Sequence, residues 1–427
     1  MRDITKVAAY SLGCKVNSYD TEAMLALFCR HSYKVVKFSE KADVYIINTC
    51  TVTALGSRKS RQLIYRARKQ NPNALVVATG CYAQVAPEEV QKIDGVNLVL
   101  GTTNRGDIVS AIEQYQCGTV VKVSNVMEET TFEDLPATSL DRTRATLKIQ
   151  DGCGRFCSFC IIPYARGPSR SRTVTSCLQE AEGFAAKGFQ EIVLAGIHLA
   201  SYGKDLEYTT LSGLLEHISK IDGIRRIRLG SLAPEIIQED FVQTLKSLHK
   251  VCDHFHISLQ SGCDTTLQRM NRHYTAEQYA KAINRIRAHF PLAAVTTDVI
   301  VGFPAESQKH FEESLSFVEA MGFSRLHVFP YSPKEGTEAA GFSEQIPQEI
   351  KMERCKQMMS LGERLQQNFL KGMLGNALDV LFEKDVGDGF YEGYSTNYAL
   401  VRAKSHKSLM NTVVNITVNR LYEGILY

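Results

Sequence analysis

The hydrophobic positions of the chain alternate between two patterns over most of its length. Short apolar runs rich in Val and Ile, with the length of buried strands, occupy residues 6–12, 44–47, 75–78 and 97–100. Stretches of helical length separate these runs, and Pro87 is suited to the first position of one such helix. The alternation predicts a parallel sheet covered by helices, in a first domain that spans residues 1–120.

A polar, acidic stretch at residues 124–143 interrupts this pattern, and we interpret it as a linker or strap between domains. Six further βα units follow, and their strands have the sequences RATLKIQ, EIVLAGI, IRRIRLG, HFHISLQ, AVTTDVIVGF and FSRLHVFPY. Six consecutive units predict a partial (βα)6 barrel over residues 140–368. Its functional groups are expected at the carboxyl ends of the strands.

The spacing of hydrophobic residues changes again near the end of the chain. A long helix is predicted at residues 348–371, and short β-type runs separated by turn residues follow it. About 55 residues of this pattern predict a small antiparallel β-barrel at residues 369–427. The predicted fold class is therefore α/β, with a parallel N-terminal domain, a central barrel and a small β-domain.

Composition narrows the class of protein. The 427 residues are 44% hydrophobic and 22% charged, with a net charge of +3, which is ordinary for a globular protein. The sequence contains no apolar run of 18 residues and no secretory h-region at its start, so we expect a cytoplasmic protein with no membrane partner. In a reducing compartment, the clustered cysteines among the 12 favour metal binding or catalysis over disulfides.

The sharpest motif is DGCGRFCSFC, which places Cys153, Cys157 and Cys160 in a C-x3-C-x2-C array directly after the first barrel strand. Three thiolates so close together can hold one iron–sulfur cluster and leave one of its irons without a protein ligand. The alternative is a zinc site, but zinc motifs usually supply a second cysteine pair, and none follows here. We therefore predict a cluster.

A second set of cysteines lies at the ends of predicted strands. Cys14, Cys50 and Cys81 end the segments SLGC, INTC and ATGC. The carboxyl ends of parallel strands meet at one edge of a sheet, so these three residues are expected to converge and hold a second cluster. The alternative is three separate buried cysteines, since free cysteine is often buried.

The barrel strands also carry polar residues at alternate positions. His256, Ser258 and Gln260 share one face of their strand, which we expect to point into the barrel and line a polar ligand site. Gly196 and Gly302 end two other strands, where a glycine lets backbone approach a ligand closely. The alternatives are buried core histidines and ordinary glycines between strand and loop.

These motifs together resemble a known family. The cysteine array with Phe159 before its last cysteine is similar to the radical S-adenosylmethionine superfamily. The segments SLGCKVNSYDTEAM, INTCTVTALGSRKSRQ and DGCGRFCSFCIIPYARGPSRSR resemble the methylthiotransferase family within it. The resemblance is strongest to the subgroup that modifies N6-threonylcarbamoyladenosine at position 37 of tRNA, and it implies that the C-terminal β-barrel is an RNA-binding domain of the TRAM type.

The resemblance also implies the cofactors and the chemistry. Two 4Fe-4S clusters are expected, one on Cys14, Cys50 and Cys81 for the transferred sulfur, and one on the C-x3-C-x2-C array for radical formation from S-adenosylmethionine. The six cysteines would be catalytic, and the radical would abstract hydrogen from carbon 2 of the adenine before the methylthio group is inserted. The residues expected to contact S-adenosylmethionine are Phe159, Gly196, His256, Ser258, Gln260 and Gly302.

The expected partners are the anticodon stem-loop of tRNA and a reductant such as flavodoxin or ferredoxin. No acidic residue occurs between Asp43 and Glu88, while one predicted helix after Cys50 carries six cations: Arg58, Lys59, Arg61, Arg66, Arg68 and Lys69. We expect this helix to bind RNA phosphates rather than to be a solvated surface. Three arginines beside the cysteine array are expected to contact RNA or, alternatively, the cofactor or an interdomain carboxylate: Arg166, Arg170 and Arg172.

Other functions stay open from the sequence. A methylthiotransferase could act on another tRNA adenosine or on a ribosomal protein. Outside this class, the clusters could serve electron transfer alone. Alternatively, the cysteines could bind zinc that stabilises an RNA-binding protein.

Overall fold

The alternating pattern of the sequence produces three consecutive parts in a computed structural model, which describes residues 6–52, 54–137 and 143–427. The N-terminal strands are β1 Lys6–Ser11, β2 Lys34–Val35, β3 Val44–Thr49, β4 Leu75–Gly80, β5 Leu98–Leu100 and β6 Val120–Lys122. The helices between them are α1 Lys15–Arg30, α2 Ala54–Gln70, α3 Cys81–Val85, α4 Pro87–Val90 and α5 Ile108–Glu113. All strands are parallel, in the order β2-β1-β3-β4-β5-β6.

Both faces of this sheet are covered, as a parallel sheet requires. Every residue of β3 and β4 is buried. One apolar core includes Tyr45 and Ile64, and a second includes Met24 and Ile112. As β1, β3 and β4 are adjacent, their carboxyl ends meet at one edge, as predicted.

The acidic segment before the barrel is packed as a strap, one of the two forms that we expected. Val126 and Ala137 are buried, Glu133 pairs with Arg105, and Asp134 pairs with an arginine of the barrel. Residues 138–142 of this segment lie outside the described residues. The strap therefore ties the N-terminal domain to the barrel by burial and by charge.

The central part confirms the partial barrel. Its strands are β7 Arg144–Lys148, β8 Gln150–Asp151, β9 Arg170–Ser171, β10 Glu191–Ala195, β11 Arg226–Arg228, β12 Ser231–Leu232, β13 His254–Ile257, β14 Ala294–Val301 and β15 Arg325–Pro330. Its helices are α6 Ile162–Arg166, α7 Val174–Ala186, α8 Leu211–Ser219, α9 Glu239–Ser247, α10 Asp264–Arg269, α11 Ala276–His289, α12 Gln308–Met321 and α13 Gln348–Gly372.

Two parallel sheets, β11-β10-β7 and β12-β13-β14-β15, form the wall of the barrel. The short β8 and β9 pair antiparallel at the carboxyl end of β7 and position the loop that follows. One continuous apolar core fills the space between the strands and the surrounding helices. The cysteine array leaves the carboxyl end of this barrel, as predicted.

The C-terminal part is a sheet of six strands: β16 Ala377–Gly387, β17 Phe390–Ser395, β18 Leu400–Lys404, β19 Val413–Thr417, β20 Leu421–Tyr422 and β21 Ile425–Leu426. Its pairings are antiparallel apart from one parallel contact between β18 and β21, which agrees with a TRAM-like domain. The domain boundaries themselves, at residues 120, 140 and 368, stay predictions.

This sheet packs on the amino ends of the barrel strands, at the opposite end from the cysteine array. Glu191 is fully buried and pairs with Arg226 and Arg228 at 2.8 and 2.7 Å. The two guanidinium groups also donate to the carbonyl groups of residues 394–396. The C-terminal domain therefore closes the far end of the barrel. Among the described helices, none has both the length and the apolar character that crossing a membrane requires.

Candidate active site

Cys153, Cys157 and Cys160 lie on one loop between β8 and α6. The Cys160 amide donates to the Cys157 carbonyl at 2.9 Å, and the Cys153 amide donates to the Gly167 carbonyl at 3.0 Å, so both ends of the array are held. Burial, with smaller contributions from the sulfurs of Cys157 and Cys153, raises the pKa of Cys160 to about 12. The three thiols thus lie near one another, and binding a metal would have to displace their protons.

The second set of cysteines converges as the strand ends predicted. Burial raises the pKa of Cys81 to about 11, and the sulfurs of Cys14 and Cys50 contribute in the same direction. A Cβ added at Gly13, where φ is +95°, would lie 2.8 Å from the Cys50 sulfur, and one at Gly56 would lie 3.6 Å from it. The two glycines therefore keep open the space beside this sulfur.

One helix of the N-terminal domain begins at this site. Cys14 is the N-cap residue of α1, which has 16 residues. The free amide groups and the dipole of a helix N-terminus stabilise negative charge. The N-terminus of α1 would therefore stabilise an anionic cluster bound beside it.

The chemistry of the two cysteine triplets fits iron–sulfur clusters. All twelve cysteines of the chain are free thiols. Each triplet supplies three sulfur ligands, one fewer than the four that close a structural zinc site. Three thiolates can hold a cluster of several irons and leave one iron open. Among the described residues, His256, Asp298 and His327 form a separate group whose ligand atoms all lie within 4.8 Å of one another.

A buried network of charges joins the two sites across the domain boundary. Asp20 of α1 is 3% exposed and accepts from Arg105, Lys148 and Arg166 at 2.7, 2.7 and 3.1 Å. Asp151, two residues before Cys153, pairs with Lys148 and Arg166 at 2.6 and 2.9 Å. Although burial raises the pKa of Asp20, the three cations outweigh it and hold that pKa below its ordinary value.

Arg166 links the two cysteine sites directly. It follows the cysteine array in α6, and its guanidinium donates to Asn17 of α1 as well as to Asp151. Asn17 lies 3.9 Å from the Cys81 sulfur, measured from its Oδ1 atom. The positive charge of Arg166 lowers the pKa of Cys81, against the larger effect of burial. One guanidinium thus contacts groups that belong to both sites.

Comparison with known proteins identifies the family. The sequence pattern of the Radical SAM superfamily matches residues 147–318, and that of Uncharacterized protein family UPF0004 matches residues 6–101. The chain is 40% identical to the threonylcarbamoyladenosine tRNA methylthiotransferase MtaB of Bacillus subtilis, over 96% of this chain and 93% of that protein. The chain belongs to the radical S-adenosylmethionine methylthiotransferase family.

Two further similarities define the range of the family and its fold. The tRNA-2-methylthio-N(6)-dimethylallyladenosine synthase of Natranaerobius thermophilus is 32% identical, over 99% of this chain and 96% of that protein. The radical S-adenosylmethionine methyltransferase TsrM of Kitasatospora setae, solved with tryptophan and an S-adenosylmethionine analogue, has a TM-score of 0.60 at 14% identity. The alignment covers 79% of this chain and 74% of TsrM, and it shows a shared fold.

Polar residues on or beside β12, β13 and β14 contact one another in this methylthiotransferase. His256 contacts the Thr296 hydroxyl at 3.0 Å through Nδ1 and the Asp298 carboxylate at 3.2 Å through Nε2. The hydroxyl groups of Ser231 and Ser258 lie 2.9 Å apart. Since both ring nitrogens of His256 are engaged, we interpret this group as a hydrogen-bonded lining and not as a metal site.

The other residues expected to contact S-adenosylmethionine have structural contacts of their own. Gln260 adopts φ +72° where the chain leaves β13, and Phe159 packs in an apolar cluster. A Cβ at Gly196 would lie 2.7 Å from Leu199, and one at Gly302 would lie 2.4 Å from Lys351. Packing therefore accounts for both glycines, and contacts of these residues with the cofactor stay a prediction.

The expectation that three arginines beside the array contact RNA is wrong for this structure. Arg166, Arg170 and Arg172 are each at most 4% exposed. Arg172 pairs with Glu180 and with Asp134 of the strap, and Arg170 donates to backbone carbonyls. Arg166 and Arg172 instead pair with carboxylates in other parts of the chain, which is the alternative that we gave from the sequence. A buried guanidinium needs such an anionic partner.

The basic helix α2 agrees better with RNA contact. Four of its cations have exposed side chains: Arg58, Lys59, Arg66 and Lys69. Arg61 and Arg68 are half-buried, and Arg61 donates to the Tyr82 hydroxyl at 3.1 Å. The exposed set forms a positive surface on the helix that follows Cys50, and its contact with RNA stays a prediction.

Sequence reasoning missed several residues of the site. Asp20, Arg105, Lys148 and Asp151 were not singled out, although a lysine within an apolar strand such as β7 is a signal of a buried ion pair. Arg272 was also missed, and its guanidinium lies 3.3 Å from the Cys157 sulfur. Its position 115 residues away from Cys157 leaves no local pattern to detect.

Proposed function

We propose that this chain is a tRNA methylthiotransferase that replaces the hydrogen on carbon 2 of N6-threonylcarbamoyladenosine with a methylthio group. The observation that carries the proposal is the 40% identity to the threonylcarbamoyladenosine enzyme over nearly the whole chain. The dimethylallyladenosine enzyme is similar over as much of the chain but at 32% identity. The two converging cysteine triplets supply the ligand sets that this chemistry needs.

In this proposal, Cys153, Cys157 and Cys160 hold one 4Fe-4S cluster, and Cys14, Cys50 and Cys81 hold the other. Three thiolates per cluster leave one iron of each open to a small molecule. When bound, the clusters and S-adenosylmethionine supply a one-electron reduction, a radical and a site for the transferred sulfur. An adenine C–H bond has no useful acidity, so proton transfer by side chains alone could not replace it.

The residues of the chain position these groups. Arg166 pairs with Asp20 of the N-terminal domain and with Asp151 of the barrel, and these buried ion pairs would hold the two cysteine sites in a fixed relation. Reaction of one base at both sites requires such a fixed relation, because small displacements of reacting groups are costly. Gly13 and Gly56 keep space open beside Cys50. In this proposal the adenine would bind within reach of both triplets.

Two further parts of the proposal concern partners, and a third concerns location. The exposed cations of α2 would neutralise phosphates of the anticodon stem-loop beside the N-terminal cysteine site. A flavodoxin or ferredoxin would supply the electron. The tRNA substrate would place the reaction in the cytoplasm.

Nucleoside mass spectrometry tests the substrate. In tRNA from a strain that lacks this protein, 2-methylthio-N6-threonylcarbamoyladenosine should disappear and N6-threonylcarbamoyladenosine should accumulate. The wild-type chain should restore it, and a Cys14/Cys50/Cys81 triple alanine variant should not. Undiminished modification would contradict the proposal. If the methylthio group is lost from another adenosine or from a ribosomal protein instead, that molecule is the substrate of the enzyme.

Anaerobic iron and sulfide analysis tests the cofactors. The wild-type chain should contain about eight irons, and the triple alanine variant about four, as two cubane clusters require. A matched control is the Cys29→Ala/Cys117→Ala variant, whose two cysteines are exposed and belong to neither triplet. Its iron content should be unchanged. Zinc in place of iron would indicate a zinc-stabilised protein, and clusters that do not cleave S-adenosylmethionine under dithionite would indicate electron transfer alone.

A further inference from the structure

The loop that follows α10 clamps the cysteine array. The Ser158 amide donates to the Met270 carbonyl at 3.1 Å, and its hydroxyl donates to the Arg269 carbonyl at 2.7 Å. The Asn271 side chain donates to the Phe156 carbonyl at 2.9 Å. Phe156 and Asn271 both have positive φ, +46° and +55°. The two loops therefore form one unit.

Arg272 extends from this clamp to a sulfur. Its Nη1 donates to the Cys157 Sγ at 3.3 Å, and its Nε donates to the Tyr274 hydroxyl at 3.0 Å. The guanidinium carbon also lies 4.8 Å from the centre of the Tyr274 ring. Tyr274 is itself held, because its hydroxyl lies 2.7 Å from the Leu259 carbonyl that accepts from it. The guanidinium of Arg272 is thus fixed in orientation.

Among the described residues, Arg272 forms no ion pair with a carboxylate, whereas its neighbour Arg155 pairs with Glu235 at 3.0 Å. Arg272 and Cys157 also line one small cleft with Arg155, His198 and Glu235. A half-buried cation that is held against a sulfur stabilises negative charge on a group bound to that sulfur.

We propose that Arg272 is a positioning residue that raises the reduction potential of the cluster on Cys153, Cys157 and Cys160 through its hydrogen bond to the Cys157 sulfur. The inference rests on the proposed function, since it needs a cluster at this array. One-electron reduction adds negative charge to the cluster. A positive N–H donor at a ligand sulfur stabilises the reduced state more than the oxidised state.

The test is an anaerobic redox titration followed by electron paramagnetic resonance, without S-adenosylmethionine. The Cys14/Cys50/Cys81 triple alanine variant serves as the parent, so that the signal comes from one cluster. In that parent, Arg272→Gln should lower the ratio of reduced to oxidised cluster at least tenfold at a fixed potential. For a one-electron couple, this equals a midpoint shift of about 59 mV to more negative potential.

Two further variants make the result specific. Arg269→Gln removes a charge from the same segment, but that side chain pairs with Glu344 and not with a cysteine, so the midpoint should not change. Arg272→Lys keeps the charge but cannot contact both the tyrosine hydroxyl and the sulfur in one geometry. Its midpoint shift should therefore be smaller than that of Arg272→Gln. The ratio of reduced to oxidised cluster should still fall at least threefold.

An unchanged midpoint in Arg272→Gln with full iron content would overturn the proposal. If Arg272→Gln takes up no iron, Arg272→Lys decides, and an unchanged midpoint there would assign Arg272 to loop structure alone. A shift that occurs only after S-adenosylmethionine is added would assign it to cofactor binding and also overturn the inference. Failure of the proposed function is distinct, because it would be seen as absent clusters or unmodified tRNA with the wild-type chain.

Discussion

Replacing Asp20 by Asn tests how the two cysteine sites are held together. Asp20 accepts from Arg105, Lys148 and Arg166 and is almost fully buried. The amide has nearly the shape of the carboxylate, so the change removes charge with little effect on packing. Three buried cations would then share the charge of Asp151 and of a partly exposed glutamate of the strap.

The expected loss follows from the cost of an unpaired buried charge. Removing one partner of a buried ion pair typically costs about 3–5 kcal/mol, because the remaining ion keeps its desolvation penalty. Domains are stable by only about 5–15 kcal/mol, so a loss of this size is a large fraction of the total. Since the cations belong to different parts of the chain, the loss should appear as separation of the N-terminal domain from the barrel.

Urea unfolding followed by circular dichroism measures the effect, with attention to the first transition because a chain of several domains need not unfold in two states. Lys281→Gln is the matched control, since it breaks an exposed pair with Glu277 and should leave the transition unchanged. Adding Lys148→Met to Asp20→Asn should recover part of the loss. A loss in Asp20→Asn no greater than in the control would refute the reasoning.

Three other outcomes are expected. Gly13→Ala should lower the iron content from about eight to about four, because the added methyl group would collide with a ligand sulfur, and full iron content would contradict this. Burial raises the pKa of Asp151, but Arg166 and three other cations hold it well below its usual range. The stabilisation that ionised Asp151 gives the folded chain should be present above about pH 3.9 and decline as the pH falls below it. Urea unfolding at several pH values will measure this decline. The double variant Arg58→Gln/Lys59→Gln should lower the slope of log affinity for tRNA against log salt concentration, by the equivalent of about one to two phosphate contacts. Filter-binding titrations measure this slope, and Lys281→Gln should leave it unchanged.

The order and type of the main elements could be predicted from sequence. The runs at 44–47 and 75–78 lie within β3 and β4, and the helix expected at residues 348–371 is α13, Gln348–Gly372. The two-residue strands β2 and β9 escaped prediction because so few positions show no period. Their pairing depends on neighbouring strands instead.

The candidate site was predicted in part. The convergence of Cys14, Cys50 and Cys81 followed from a local rule, since parallel strands end at one edge of a sheet. The assignment of Arg166 and Arg172 to RNA was wrong because a charged residue in a polar segment has the same sequence pattern whether it is exposed or paired in the interior. Only the fold shows which carboxylate faces it.

The sequence by itself determined the ligand chemistry, the barrel and the family, because these depend on residue type, spacing and period along the chain. The tertiary structure decided which charges are buried, that Asp20 faces Arg166 across a domain boundary, and that Arg272 reaches Cys157 from a loop more than a hundred residues away. Such pairings arise from packing between distant segments. Burial then sets their strength, since a charge removed from water must find its partner in the folded chain.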